Sequence, residues 1–269
     1  MTEHVSSSDR AAGLPRLAAH SRITAITSGK GGVGKTFIAA NLAAALARMG
    51  QRVLVLDADL GLANLDVVLN LYPKITLHDV FTGKHALAEA VLPAPGGFSV
   101  LLAGSGMVEY SRLTPHIREQ LQAVIEEVSP RVDRVLLDTG AGISDVVLYT
   151  VSLAQDVLIV ATPEPTSMTD AYATIKVLAT TQGRRQMQLV VNQTSKPQDG
   201  RHVRNQLQLV VDRFVNPTLD GPVHIELVGT VPSDTAVREA VHRRQLLAIG
   251  SPGAPATAAI GELAARLIG

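Results

Sequence analysis

Short apolar runs recur along the chain, and stretches with helical periodicity separate them. Runs of this length are typical of strands buried in a parallel sheet, whose two faces the intervening helices would cover. The pattern therefore predicts an α/β fold: a single doubly wound, mostly parallel sheet with helices on both faces. The predicted strands are Ile23–Thr27, Val53–Leu56, Val135–Leu137, Val157–Ala161, Leu189–Val191 and Ile225–Val231, with Phe98–Leu102 as a further candidate.

The first helix is predicted from Phe37 to Met49, an alanine- and leucine-rich segment that Gly50 terminates. Residues 1–21 are polar at first and are expected to form a flexible N-terminal tail. A single folded domain is expected over 22–269, because no linker or repeat divides that range.

The C-terminal segment Thr257–Ile268 is predicted to be a helix. It places Ile260, Leu263 and Leu267 on one side, and Arg266 is its basic residue. A helix of this kind usually packs against a core. The alternative is a weak amphipathic contact with a membrane surface.

Composition excludes several classes of function. The 269 residues are 46% hydrophobic and carry 24 basic against 24 acidic side chains, so no global field draws the chain to nucleic acid. The chain has no cysteine, which excludes disulfides and thiolate metal sites, and its aromatic content of 3% argues against a base-stacking surface. No apolar run reaches about 18 residues. A cytoplasmic protein is expected.

The segment Gly29–Thr36 satisfies the pattern G-x-x-x-x-G-K-[ST] of a phosphate-binding loop. Its glycines let successive backbone N–H groups face an anion at the start of a helix. Lys35 would reach the β- and γ-phosphates, and the Thr36 hydroxyl would ligate Mg²⁺. A second lysine, Lys30, lies on the leading edge of the loop. The candidate nucleotide-binding residues here are Gly29, Lys30, Gly31, Gly32, Val33, Gly34, Lys35, Thr36 and Phe37.

Carboxylates follow two of the predicted strands. Asp57 and Asp59 are two positions apart, so they face the same side, and Asp138 ends a later strand. Such residues near a phosphate loop can serve the Mg²⁺ shell or orient a water for attack on the γ-phosphate. A single aspartate at a strand end is more often a helix cap or a turn residue, but three beside this loop favour the functional interpretation.

An amide follows another strand, at Asn192, and can both donate to and accept from an adenine edge. The segment Thr230–Asp234, with Pro232 and Asp234, is the candidate for the opposite wall. The alternative is that Asn192 caps a helix or a turn.

Together these motifs resemble those of the MinD/ParA family of deviant-Walker-A ATPases, and within it the flagellar-number regulators of the FlhG (FleN) group. The loop carries the two lysines of the family's GKGGVGKT motif. The likeness runs from about Arg22 to the C-terminus. The matching segments are Ser28–Thr36, Val53–Asp66, Thr76–Val80, Ala103–Gly106, Asp138–Ser144, Pro163–Tyr172 and Val231–Asp234.

The resemblance implies an ATP-dependent homodimer that hydrolyses ATP slowly and works as a switch. In the family the first loop lysine, here Lys30, reaches the phosphates bound by the partner subunit. The residue that matches Asp59 positions the attacking water, and Lys35 holds the phosphates.

The resemblance also implies the cofactors ATP and Mg²⁺. Thr36 would be the direct Mg²⁺ ligand, Asp57 and Asp138 would serve the Mg²⁺ environment, and Asn192 would face adenine.

The implied partners are a GTPase of the FlhF type and flagellar basal-body proteins, with conditional contact at the inner face of the cell membrane. The tail departs from the FlhG pattern, since Arg10 stands where a glutamine is expected and Pro15 would break the helix. Stimulation of the GTPase by this tail is therefore not expected.

Three alternatives remain open. A MinD-type regulator of the division site would share the same switch. A ParA-type partitioning ATPase would need a basic face, whereas the arginines occur as scattered pairs: Arg184 with Arg185, Arg201 with Arg204, and Arg243 with Arg244. A metabolic ATPase would need a motif for a second substrate, and none stands out.

Overall fold

The computed structural model describes residues 21–61, 63–104 and 112–268. These residues form an eight-stranded sheet in the order β3-β4-β2-β5-β1-β6-β7-β8. Neighbouring strands are parallel except β3, which runs antiparallel to β4. The strands are β1 (Arg22–Ser28), β2 (Val53–Ala58), β3 (Val91–Pro93), β4 (Ser99–Leu101), β5 (Arg134–Ala141), β6 (Asp156–Ala161), β7 (Gln186–Thr194) and β8 (His224–Pro232).

Helices cover both faces of the sheet, and the predicted fold class is confirmed. They are α1 (Lys35–Arg48), α2 (Leu65–Leu69), α3 (Leu77–Phe81), α4 (Leu87–Ala90), α5 (Pro115–Val128), α6 (Asp145–Ser152), α7 (Pro165–Gln182), α8 (Asp199–Phe214), α9 (Thr235–His242), α10 (Leu247–Gly250) and α11 (Pro255–Ile268). Among the described residues, no helix is both long and apolar enough to cross a bilayer.

The core lies in two layers, one on each face of the sheet. Alternation along β1 shows the division, since Ile23 and Ala25 join the layer that contains α5 to α8, whereas Ile26 joins the layer with α1 and α11. The centre of the sheet, where β1 lies between β5 and β6, is the point at which the strand order reverses. Ligands of open α/β sheets bind beyond the carboxyl ends of the strands at such a point.

All seven predicted strands are present, and most extend beyond the predicted bounds. The short edge strand β3 was not predicted. The C-terminal helix is also present, two residues longer at its start than predicted, with Ile260, Leu263 and Leu267 buried. Of the predicted tail only Ser21 is described, so Arg10 and Pro15 lie outside the described residues.

Candidate functional site

The phosphate loop joins the end of β1 to the start of α1. The first turn of α1 has no acidic residue and no side-chain cap, so its backbone N–H groups are directed at the loop. Gly34 has φ of +97°, and a Cβ there would lie 2.4 Å from the Asn192 Nδ2. Glycine is therefore required at this position both by the backbone conformation and by the close approach of β7.

Gly29 is in a similarly close contact with α7. A Cβ on this residue would lie 2.1 Å from the backbone oxygen of Asp170. The loop and the first turns of α7 are thus packed without room for a side chain between them. This places the Pro163–Tyr172 segment directly against the loop.

Lys35 is buried beside the loop. Its Nζ donates to the Ser28 Oγ at 3.0 Å, and Ser28 in turn donates to the Lys30 backbone oxygen at 2.7 Å. Burial lowers the pKa of Lys35, against the opposing charges of Asp138 and Asp59. A cation held in this way, with few water contacts, is matched to a polyphosphate.

Lys30 points in a different direction. Its Nζ lies 2.9 Å from the Glu164 Oε2 and 2.9 Å from the Thr166 Oγ1, and its side chain is 38% exposed. Lys30 does not line the cavity that Lys35 lines. In this monomer the second loop lysine is therefore bound to the start of α7.

Asp57 and Asp138 are paired in register on β2 and β5, at the carboxyl ends of neighbouring strands. Asp138 is buried, its Oδ1 has no hydrogen-bond partner, and the Thr36 hydroxyl donates to its carboxylate. Burial raises the pKa of Asp138 to about 7, partly offset by Thr36 and Lys35. The structure thus brings Thr36 and Asp138 together, as the sequence predicts.

Asp57 has a different environment. Its carboxylate accepts from the backbone N–H groups of Asp59 and Leu65, both at 3.3 Å, and burial raises its pKa well above the usual range. It lines a separate cavity of about 260 Å³ rather than the one beside the loop. Asp57 therefore shapes the turn that carries Asp59, and its predicted role near Mg²⁺ stays a prediction.

Asp59, Lys35 and Thr36 share a cavity of about 720 Å³ above the carboxyl ends of the strands. This volume lies within the usual range for small-molecule sites. The rest of the lining comes from the loop, the turn after β2, the β5–α6 connection and α9: Gly31, Gly32, Gly34, Phe37, Ala58, Leu60, Gly61, Asn64, Val68, Thr139, Gly140, Ala141, Ser144, Val146, Val147 and Val241.

The donors beside this cavity fit Mg²⁺. The Thr36 hydroxyl and the unpartnered Asp138 Oδ1 are hard oxygen ligands, and Mg²⁺ commonly takes one or two protein oxygens with phosphate and water. Within the described ranges no group of three or more His, Cys, Asp or Glu side chains forms a metal site by itself. An ion here would therefore depend on the nucleotide for part of its shell.

A second cavity, of about 490 Å³, adjoins the other side of the loop and is lined by Phe37, Asn192, Pro232 and Asp234 among others. Asn192 donates to the Val33 backbone oxygen at 2.8 Å. Asn192 also accepts from the Gln193 N–H at 2.9 Å. The sequence places Asn192 at the correct wall, but its amide holds the loop.

Asp234 has two partners. Its Oδ1 accepts from the Ala236 N–H at 2.9 Å, which caps α9, and its Oδ2 accepts from the Ala256 N–H at 3.2 Å, at the start of α11. This carboxylate therefore fixes the wall formed by α9 to the C-terminal helix.

Several of the paired arginines are bound within the fold. Arg184 donates to the backbone oxygens that end α6, Arg185 donates to the Ala179 oxygen, and Arg204 donates to the Ile225 oxygen. Guanidinium groups used in this way satisfy helix ends and the edge strand. They do not form the continuous basic face that a DNA matrix requires.

A family model described as the CobQ/CobB/MinD/ParA nucleotide binding domain matches residues 24–247. The chain belongs to this family. The CobQ/CobB/MinD/ParA match spans the loop, both aspartate-bearing turns, Asn192 and Asp234, and it confirms the MinD/ParA resemblance. MinD/ParA proteins are ATPases, so ATP hydrolysis is the general reaction that membership supports.

Individual relatives add detail. The antiactivator FleN of Pseudomonas aeruginosa is 41% identical over 246 residues, which are 91% of this chain and 86% of that protein. The flagellum site-determining protein YlxH of Helicobacter pylori is 30% identical over 253 residues, 93% of this chain and 82% of that protein. The structure of the septum site-determining protein MinD from Pyrococcus horikoshii, complexed with Mg-ADP, matches with a TM-score of 0.73 and 27% identity, over 92% of this chain and 96% of that one.

Sequence reasoning missed the residues that hold the two lysines. Ser28 was noted only as the start of the motif and Glu164 only as part of the Pro163–Tyr172 segment. A conserved-looking acid in a segment of family likeness is a usable signal, but only the fold brings Glu164 to Lys30.

Proposed function

We propose that this protein is an ATP-dependent dimerising switch that regulates the number or placement of flagella. The likeness to FleN over nine-tenths of the chain supports this role, and the likeness to YlxH, named for determining the site of the flagellum, supports it independently. The single observation that carries the mechanism is the pair of lysines, one buried in the loop and one directed away from it.

The nucleotide of this proposal is ATP with Mg²⁺. Support comes from the relative crystallised with Mg-ADP and from the loop, where the uncapped N-terminus of α1 and Lys35 face the 720 Å³ cavity. Thr36 and Asp138 would hold the ion, which neutralises phosphate charge when bound. Asp59 lies on the cavity wall, where a carboxylate can orient the attacking water. A single such carboxylate and no second substrate site favour slow turnover.

Dimerisation would use Lys30. In the monomer its ammonium group is held by Glu164 and Thr166, on the surface and not in its own phosphate site. An exposed ion pair of this kind contributes little, about 0–1 kcal/mol, so a neighbouring triphosphate can displace it. Two copies that each offer Lys30 to the nucleotide of the other are stable only when both sites hold ATP.

The proposed partners are a GTPase of the FlhF type and proteins of the flagellar basal body, recruited by the ATP-bound dimer. We also propose a cytoplasmic location. Conditional contact with the inner face of the membrane would need a surface other than the apolar face of α11, because that face packs against α1 and β8.

The proposal is tested by genetics and by recovery of partners. In the organism that encodes the chain, deletion should change the number or position of flagella counted by electron microscopy, and the wild-type gene but not Lys30→Ala should restore it. A pull-down with Asp59→Ala, which binds ATP but does not hydrolyse it, should recover flagellar proteins. Lys176→Ala, an exposed lysine on α7, is the matched control.

Unchanged flagellation in the deletion strain, with recovery of division-site proteins instead, would move the chain to the MinD-type role. Strong, salt-dependent binding of nonspecific DNA that requires ATP would support the partitioning role.

A further inference from the structure

The 490 Å³ cavity on the far side of the phosphate loop carries two polar side chains with no assigned role. They are Gln193, at the end of β7, and Arg238, on α9. The cavity lies between the loop residues Gly32 and Gly34 and the α9 wall, so it is the place where the base of a loop-bound nucleotide would enter.

Asn192, which the sequence assigns to the base, has its amide committed to the protein. Its nitrogen donates to the Val33 oxygen and its oxygen accepts from the Gln193 N–H. The Nδ2 is also packed against Gly34, where a Cβ would lie 2.4 Å away. Asn192 therefore positions the loop, and recognition of the base falls to its neighbours.

Gln193 has φ of +58°, a left-handed conformation that non-glycine residues seldom adopt. The pairing of β7 with β8 shifts register between Val191 and Thr194, and the bond from the Gln193 N–H to Asn192 holds the residue in this conformation. Its side-chain amide is exposed and has no hydrogen-bond partner in the described part of the chain. Strained residues of this kind cluster at ligand sites.

Arg238 is an exposed cation on the opposite wall. Within the described ranges it makes no ion pair and no hydrogen bond, whereas Arg243 on the same helix lies 3.9 Å from Glu239. A guanidinium group that lines a cavity without a partner suits a ligand with an aromatic face and negative charge.

We propose that Gln193 and Arg238 are the residues that recognise the base side of the bound nucleotide. The Gln193 amide pairs with the polar edge of adenine, for which side-chain amides are suited, and Arg238 contacts the nucleotide from the α9 wall. The proposal rests on the proposed function, since it assumes that the loop binds ATP.

Ligand binding tests each residue separately. Affinities for ATP and for purine riboside triphosphate, which lacks the 6-amino group, are measured by calorimetry with Mg²⁺. Wild type should prefer ATP by about five-fold, the equivalent of one neutral hydrogen bond. Gln193→Gly should abolish this preference, and its thermal midpoint should not fall, because glycine tolerates positive φ. Gln206→Ala, an exposed glutamine on α8, should keep the preference.

Arg238→Ala should weaken the binding of both nucleotides by the same factor, several-fold, because its contact does not depend on the 6-amino group. Arg243→Ala should not weaken either. The proposal is overturned if Gln193→Gly keeps the wild-type preference or if Arg238→Ala binds both nucleotides as tightly as wild type. If wild type binds neither nucleotide, the proposed function fails as well, so the two failures are distinguishable.

Discussion

Asp138 illustrates how burial alone can prepare a carboxylate for its ligand. It is buried beside Asp57 in the adjacent strand, one of its oxygens lacks a partner, and its pKa is raised to about 7. A carboxyl group in this state is costly to ionise until a cation arrives. The free protein therefore holds a proton where the nucleotide-bound protein would hold Mg²⁺.

This predicts the pH dependence of the ligand-free protein. A carboxyl whose pKa is higher in the folded than in the unfolded chain stabilises the fold while it is protonated. That stability is complete below about 4 and is lost as the pH rises through about 7. The free energy of unfolding should fall by a few kcal/mol over this range through Asp138, in urea titrations without nucleotide.

Asp138→Asn should flatten that pH profile, since asparagine does not ionise. Asp220→Asn, in an exposed loop, should leave it unchanged. A profile for Asp138→Asn that matches wild type between pH 4 and pH 7 would show that Asp138 is not the titrating group.

Gly34 is the second residue whose environment allows a sharp prediction. Gly34→Ala should lower the free energy of unfolding by about 1–3 kcal/mol, because alanine is strained at φ of +97° and its Cβ would collide with Asn192. Gly31→Ala is the matched control, since a Cβ there meets no atom within 4 Å. Equal thermal midpoints for the two variants would contradict the close packing of β7 on the loop.

At the scale of elements, the hydrophobic pattern was sufficient where a strand is long and central. It missed β3 because Val91–Pro93 is three residues long and ends in proline, a pattern more typical of a loop than of a strand. An edge strand of this length is held by its single neighbour, β4, rather than by its own propensity.

The C-terminal helix carries the clearest prediction at this scale. Leu263 is fully buried between α1 and β8, and the guanidinium of Arg134 donates to the Leu267 oxygen at 2.5 Å. Leu263→Ala should therefore cost about 2–5 kcal/mol of unfolding free energy, measured in urea. Glu262→Ala, on the exposed side of the same helix, should stay within about 0.5 kcal/mol of wild type.

The opposite result would assign this helix to the membrane. If Leu263→Ala leaves stability unchanged but removes binding to vesicles of anionic lipid, the apolar face is free in solution. The packing seen here would then describe only one of two states.

At the scale of the whole molecule, the sequence predicted each residue of the loop but not the contacts between distant segments. Lys30 and Glu164 are 134 positions apart, and their pairing depends on the packing of α7 against Gly29. The direction of the Asn192 amide depends likewise on the return of β7 to the loop. Local motifs report local chemistry, whereas these pairings require the assembled sheet.

The state of Lys30 links all of these scales. In the monomer it is held by its own chain, at low cost, and in the proposed dimer it serves the nucleotide of the partner. The phosphate loop, the register of the two aspartates and the position of α7 are all needed to keep this lysine outside its own site and available to another copy.

The most direct test of this account is light scattering of Asp59→Ala with saturating ATP and Mg²⁺, compared with the same protein that also carries Lys30→Ala. The account predicts that the mass of the first doubles on addition of ATP, and that the second stays monomeric although it still binds ATP. A Lys176→Ala control should dimerise as the first does. Monomers in every case, or dimers that persist without Lys30, would contradict the proposal.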